Sequence, residues 1–63
     1  MKYSVIMKTE DGYVFIQQSD KLSTAKHYYD DFVNSGRKSN NGFHVTLLEN
    51  DKEKMSFNGW HTA

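Results

Sequence analysis

Sixty-three residues, eight basic side chains balanced by eight acidic ones, 14% aromatics and no cysteine leave room for a single domain, residues 1–63. So small a core cannot enclose a deep catalytic pocket, and the missing cysteine excludes a disulfide framework, thiolate chemistry and cysteine-bearing zinc motifs. Zero net charge gives no support to long-range electrostatic binding, while the aromatic content is too high for a disordered chain.

Residues 2–9 alternate and read as a strand, and the β-branched and aromatic run 13–18 reads as a second. Asp11-Gly12 between them is a strong hairpin signal, because a type I′ turn needs positive φ at both central positions. With those two residues as the loop, Thr9 falls opposite Val14, Met7 opposite Ile16 and Val5 opposite Gln18. One face then carries Tyr3, Val5, Met7, Val14 and Ile16, and the other Ile6, Lys8, Tyr13, Phe15 and Gln17. The first is the better core face, since its apolar residues coincide.

The period changes over residues 21–35. Leu22, Ala25, Tyr29 and Phe32 make one apolar stripe at helical spacing, flanked by Tyr28 and Val33. Asp20 is the expected N-cap, with Ser19 and Ser23 as rivals, and Gly36 the expected C′ residue that closes the helix ahead of Arg37-Lys38. Ser39-Asn40-Asn41-Gly42 is a polar turn cluster.

Residues 43–49 and 53–60 alternate again, joined by Asn50-Asp51-Lys52. A two-residue loop would set apolar side chains against polar ones. A three- or five-residue loop places Val45 opposite Phe57 and Leu47 opposite Met55, and is preferred. The plan is therefore α+β, β-β-α-β-β: an antiparallel sheet of about four strands with one helix packed on one face. The expected core is Val5, Met7, Val14, Ile16, Leu22, Ala25, Tyr29, Phe32, Val45, Leu47, Met55 and Phe57.

One helix covers one side of a sheet, so the reverse side is left to Ile6, Lys8, Tyr13, Phe15, His44, Thr46, Leu48, Lys54, Asn58 and Trp60. The expected partner-binding residues are Lys8, Tyr13, Phe15, His44, Lys54 and Trp60, with the rings as anchors and the lysines at the rim. No catalytic set is found: Ser23 and Thr24 lack a suitably spaced histidine, and no glycine-rich phosphate loop runs from a strand into a helix. His27, His44 and His61 fit no zinc spacing, Asp11-Gly12 lacks the rest of a calcium loop, and no metal or other cofactor is expected. His27 and Asp31 are i,i+4 neighbours and read as a surface pair. Tyr28, Asp30 and Asp31 read as a solvated helix face.

The apolar run at the N-terminus is too short for a signal sequence, and nothing approaches the roughly 20 apolar residues of a membrane span. The expectation is a cytoplasmic, non-enzymatic protein with no membrane association.

The run Ser19-Asp20-Lys21-Leu22-Ser23-Thr24-Ala25-Lys26 follows a hairpin, opens a helix with Leu22 and Ala25, and is followed by more strands. In this order the chain resembles small phage-encoded inhibitor proteins, of the host-takeover and the anti-CRISPR or anti-defence type. The resemblance implies a protein that occludes a host enzyme or defence complex in the bacterial cytoplasm. The zero net charge departs from the strongly acidic members that mimic DNA. Two alternatives stand beside this reading: a single-stranded nucleic-acid-binding protein that stacks bases on an aromatic sheet face, and a structural homodimer whose open faces pack together.

Overall fold

A computed structural model describes residues 2–39 and 42–59. Four antiparallel strands, β1 (Tyr3–Thr9), β2 (Val14–Ser19), β3 (Phe43–Glu49) and β4 (Lys52–Asn58), form one open sheet in the order β2-β1-β3-β4. The helix α1 (Leu22–Lys38) lies between the hairpins in sequence and packs across one side of β1 and β3, also touching β2. This is the α+β, β-β-α-β-β arrangement expected from the alternation of periods.

The core lies between helix and sheet. Tyr3, Val5 and Met7 from β1, Phe43, Val45 and Leu47 from β3, and Ala25, Tyr29 and Val33 from α1 are buried. Val5, Val45 and Leu47 have no exposed surface, and each stabilises the fold by about 1.5–3 kcal/mol. Leu22, Tyr28, Phe32, Met55 and Phe57 close the margins. Burial of Tyr29 pushes its phenol above the ordinary value of 10.0, and Asp30 adds to the effect.

The first hairpin departs from the sequence reading. Its loop is Glu10-Asp11-Gly12, one residue longer than the expected Asp11-Gly12. Gly12 N–H donates to the Thr9 carbonyl (3.1 Å) and Thr9 N–H to the Tyr13 carbonyl (3.0 Å), with Gly12 at φ +95°. A three-residue loop with a positive-φ glycine last is a standard alternative to the two-residue turn. The Thr9 hydroxyl steadies it by bonding the Asp11 carboxylate and accepting from the Tyr13 N–H at 3.0 Å. Register moves by one: Met7 sits opposite Phe15, Ile6 opposite Ile16 and Lys8 opposite Val14. A one-residue slip turns every β2 side chain over. Val14 and Ile16, expected in the core, are 55% and 57% exposed on the far side of the sheet. Tyr13 and Phe15, expected on the open side, project on the helix side.

The second hairpin keeps the expected pairs, Val45 with Phe57 and Leu47 with Met55, but reaches them differently. The loop is the two residues Asn50-Asp51, both at positive φ (51° and 66°), as in a type I′ turn. Glu49 pairs with Lys52 and Leu48 with Glu53, and the next partner is Met55, so Lys54 is a bulge residue. The bulge restores the phase that the short turn would have lost.

The helix also differs at both ends. Lys21, not Asp20, is the N-cap, and no side chain caps it. The Asp20 carboxylate accepts the Lys2 N–H (3.2 Å), while the Ser19 hydroxyl accepts the Lys21 N–H (3.1 Å). Gly36 does not end the helix, which runs on to Lys38 with Ser39 as C-cap. Gly36 is buried because the Phe43 ring lies flat against it: a Cβ there would fall on the ring carbons Cδ2, Cε2 and Cγ. Packing thus overrides the usual meaning of a glycine near a helix end. Among the described residues, no helix is long and apolar enough to cross a membrane.

Candidate functional site: the open sheet face and its β2 edge

On the side away from α1 the side chains form three rows across the strand order. The first is Gln18, Ser4, Leu48 and Glu53, the second Ile16, Ile6, Thr46 and Ser56, and the third Val14, Lys8, His44 and Asn58. The β2–β1 half holds an aliphatic cluster, Val14, Ile16 and Ile6, beside Gln18, Ser4 and Lys8. The β3–β4 half is polar apart from Leu48. Ile6, Lys8, His44 and Thr46 border a shallow depression at the centre. Gln18 Nε2 reaches the Ser4 hydroxyl at 3.5 Å, a weak cross-strand contact at one corner.

The expected binding residues are only partly brought together. Lys8 and His44 are directly paired across β1 and β3 on the open face. Tyr13 and Phe15 lie on the other side of the sheet, stacked at 6.3 Å between centroids, and 62% and 45% exposed. Lys54 is the bulge residue at the far edge, ion-paired with Glu49 at 3.3 Å. Trp60 lies outside the described residues. What the sequence reading missed is the role of Val14 and Ile16, which take the place on the open face that Tyr13 and Phe15 were expected to fill.

The two edges of the sheet have opposite chemistry. On β4, Lys52, Glu53 and Lys54 supply charge and the bulge breaks the ladder, the usual means of blunting an edge against strand addition. On β2, Val-Phe-Ile-Gln-Gln-Ser carries no charge, no proline and no bulge. Among the described residues the exposed large hydrophobics are Tyr13, Val14, Phe15 and Ile16, consecutive along this edge and the residue that leads into it. Charge and bulge guard one side of the molecule and leave the other open.

Elsewhere the polar groups do local work. His27 and Asp31 form the surface pair expected from their spacing, 3.4 Å apart. Arg37 stacks over Phe57 at 5.3 Å, shielding the core margin at the helix end. No group of three or more His, Cys, Asp or Glu side chains that could hold a metal ion occurs among the described residues. No protein-family model, curated protein or solved structure matches the chain.

Proposed function

We propose that the chain is a small non-catalytic protein-binding module that acts as an inhibitor by occluding a partner, with the open sheet face as its docking surface. The observation that carries this reading is the aliphatic cluster, where Val14 and Ile16 stand more than half exposed beside Ile6 on the side that α1 does not cover. Contiguous apolar surface of this kind, bordered by polar groups, is characteristic of interaction sites. Lys8 and His44 form the polar border and favour a partner with an acidic rim around an apolar centre. The likeness in element order to small phage-encoded inhibitors of host enzymes and defence complexes supports the same mode of action.

The test is affinity capture from bacterial lysate with three forms of the chain: wild type, the open-face variant Ile6→Ser/Leu48→Ser, and the helix-surface control Lys26→Ala, each first shown to melt cooperatively. The reading requires a specific partner that the control retains and the face variant loses, by about tenfold or more in affinity. Equal recovery by all three forms, or no specific partner at all, refutes it.

A further inference from the structure

We propose that two copies of the chain join through β2, antiparallel and edge to edge about a two-fold axis at Ile16, so that two four-stranded sheets become one continuous sheet. This goes beyond the docking reading and stands independently of it.

The backbone sets the register. In an antiparallel pair, residues alternate between exchanging both hydrogen bonds with their partner and exchanging none. Thr9 N–H donates to the Tyr13 carbonyl, which makes Thr9 and Tyr13 a bonded pair. By alternation Phe15, Gln17 and Ser19 turn their backbone groups toward β1, and Val14, Ile16 and Gln18 turn theirs outward. A second β2 running antiparallel can use all three outward residues in only one register. Ile16 then sits opposite the Ile16 of the second copy, and Val14 opposite its Gln18. Moving the axis to Phe15 sets Gln18 against the copy's Gly12, inside its turn, and moving it to Gln17 sets Val14 against the copy's Asp20, beyond the strand. Only the Ile16-centred seam bonds every outward N–H and C=O of both strands.

The side chains fit the same seam. β2 is uncharged, so no like charges meet when the strand pairs with itself. On the open face Ile16 packs on its own copy, flanked by Val14 and Gln18. On the helix side Phe15 comes against Gln17 of the copy, and the exposed Tyr13–Phe15 stack gains cover. The charged, bulged β4 edge resists the same addition, so the association closes at two copies and does not grow into a ribbon. Both helices lie on one side of the joined sheet, and both open faces merge into a single surface on the other.

The chain has no cysteine, so single-cysteine variants report the seam cleanly. In a bonded antiparallel pair the Cα and Cβ atoms are both about 5.5 Å apart, wider than a direct disulfide needs. Ile16→Cys should therefore be joined into a dimer by a short bifunctional thiol-reactive linker that spans about one interstrand gap. Two copies of Val14→Cys are four residues apart along the seam, roughly 13 Å, and should not be cross-linked. Reduced forms of both variants must melt like wild type. Sedimentation of the unmodified chain at micromolar to millimolar concentration should show a monomer–dimer equilibrium with no larger species. A monomer throughout overturns the proposal and leaves the edge to a partner's strand. Equal cross-linking of both variants overturns it too, because random collision would then account for the dimer.

Discussion

Replacing Gly36 with alanine sets two effects against each other. In an unconstrained helix interior, Gly→Ala stabilises by about 0.5–1 kcal/mol, and less in a last turn. Here the added Cβ would stand 2.5 Å from Cε2 and Cγ of Phe43. The ring cannot retreat freely. A Cβ at Gly59 on its other side would meet Cε1 at 2.6 Å, Phe57 stacks on it at 5.4 Å, and it is 5% exposed. Overpacking of this kind costs about 1–3 kcal/mol, so the clash outweighs the propensity gain and the net loss is about 1–2 kcal/mol. For a domain of this size that is a fall in Tm of roughly 4–16 °C. Thermal melts followed by far-UV circular dichroism, with urea titrations to confirm an unchanged m value, measure it. In the Gly36→Ala background, Phe43→Leu should cost less than it does in wild type, since the smaller side chain makes room. A Gly36→Ala variant as stable as wild type, or more so, would refute the packing argument.

Three further outcomes follow from the same geometry. Gly12→Ala meets nothing within 4 Å, so its cost is that of a side chain at φ +95° alone, about 1–2 kcal/mol, and no second-site substitution of a neighbouring side chain should relieve it. Deleting Lys54 removes the bulge but leaves Glu53 opposite Leu48 and Met55 opposite Leu47, so it should cost little beyond an exposed ion pair, whereas deleting Ser56 sets Phe57 opposite Thr46 on the open face and should cost roughly 1.5–3 kcal/mol in urea unfolding. The raised phenol of Tyr29 makes the fold favour its neutral form, so that contribution is complete below pH 10.0 and is lost as pH rises through the higher folded value. Stability measured from pH 8 to about 12 should therefore fall more steeply for wild type than for Tyr29→Phe, and parallel curves would disprove the assignment.

The element order was legible because the apolar period changes twice, from alternation to the Leu22–Ala25–Tyr29 stripe and back at Phe43. The β3–β4 pairing was legible because only one register brings Val45 to Phe57 and Leu47 to Met55; the I′ turn and compensating bulge that achieve it were not, since no apolar residue marks Lys54. The β1–β2 register failed for the opposite reason. Both faces of β2 are apolar, Val14 and Ile16 on one and Tyr13 and Phe15 on the other, so hydrophobic matching could not choose between them. The Asp-Gly signal tipped the choice the wrong way. Glu10-Asp11-Gly12 closes as a three-residue loop, with the glycine supplying the positive φ at its end. At the helix end, the sequence offered Gly36 as a terminator because the contact that explains it comes from Phe43, seven positions later and across the interface. The existence of an open face was thus readable, but which side chains of β2 occupy it depended on a loop one residue longer than its strongest motif.

The account rests on which β2 side chains face away from the helix, and methyl NMR with a soluble gadolinium chelate reads this directly. Val14, Ile16, Ile6 and Leu48 methyls should relax strongly in the presence of the chelate, while those of Val5, Val45 and Leu47 should be almost unaffected. Protection of Val14 and Ile16 equal to that of Val5 would place them in the interior and contradict the account.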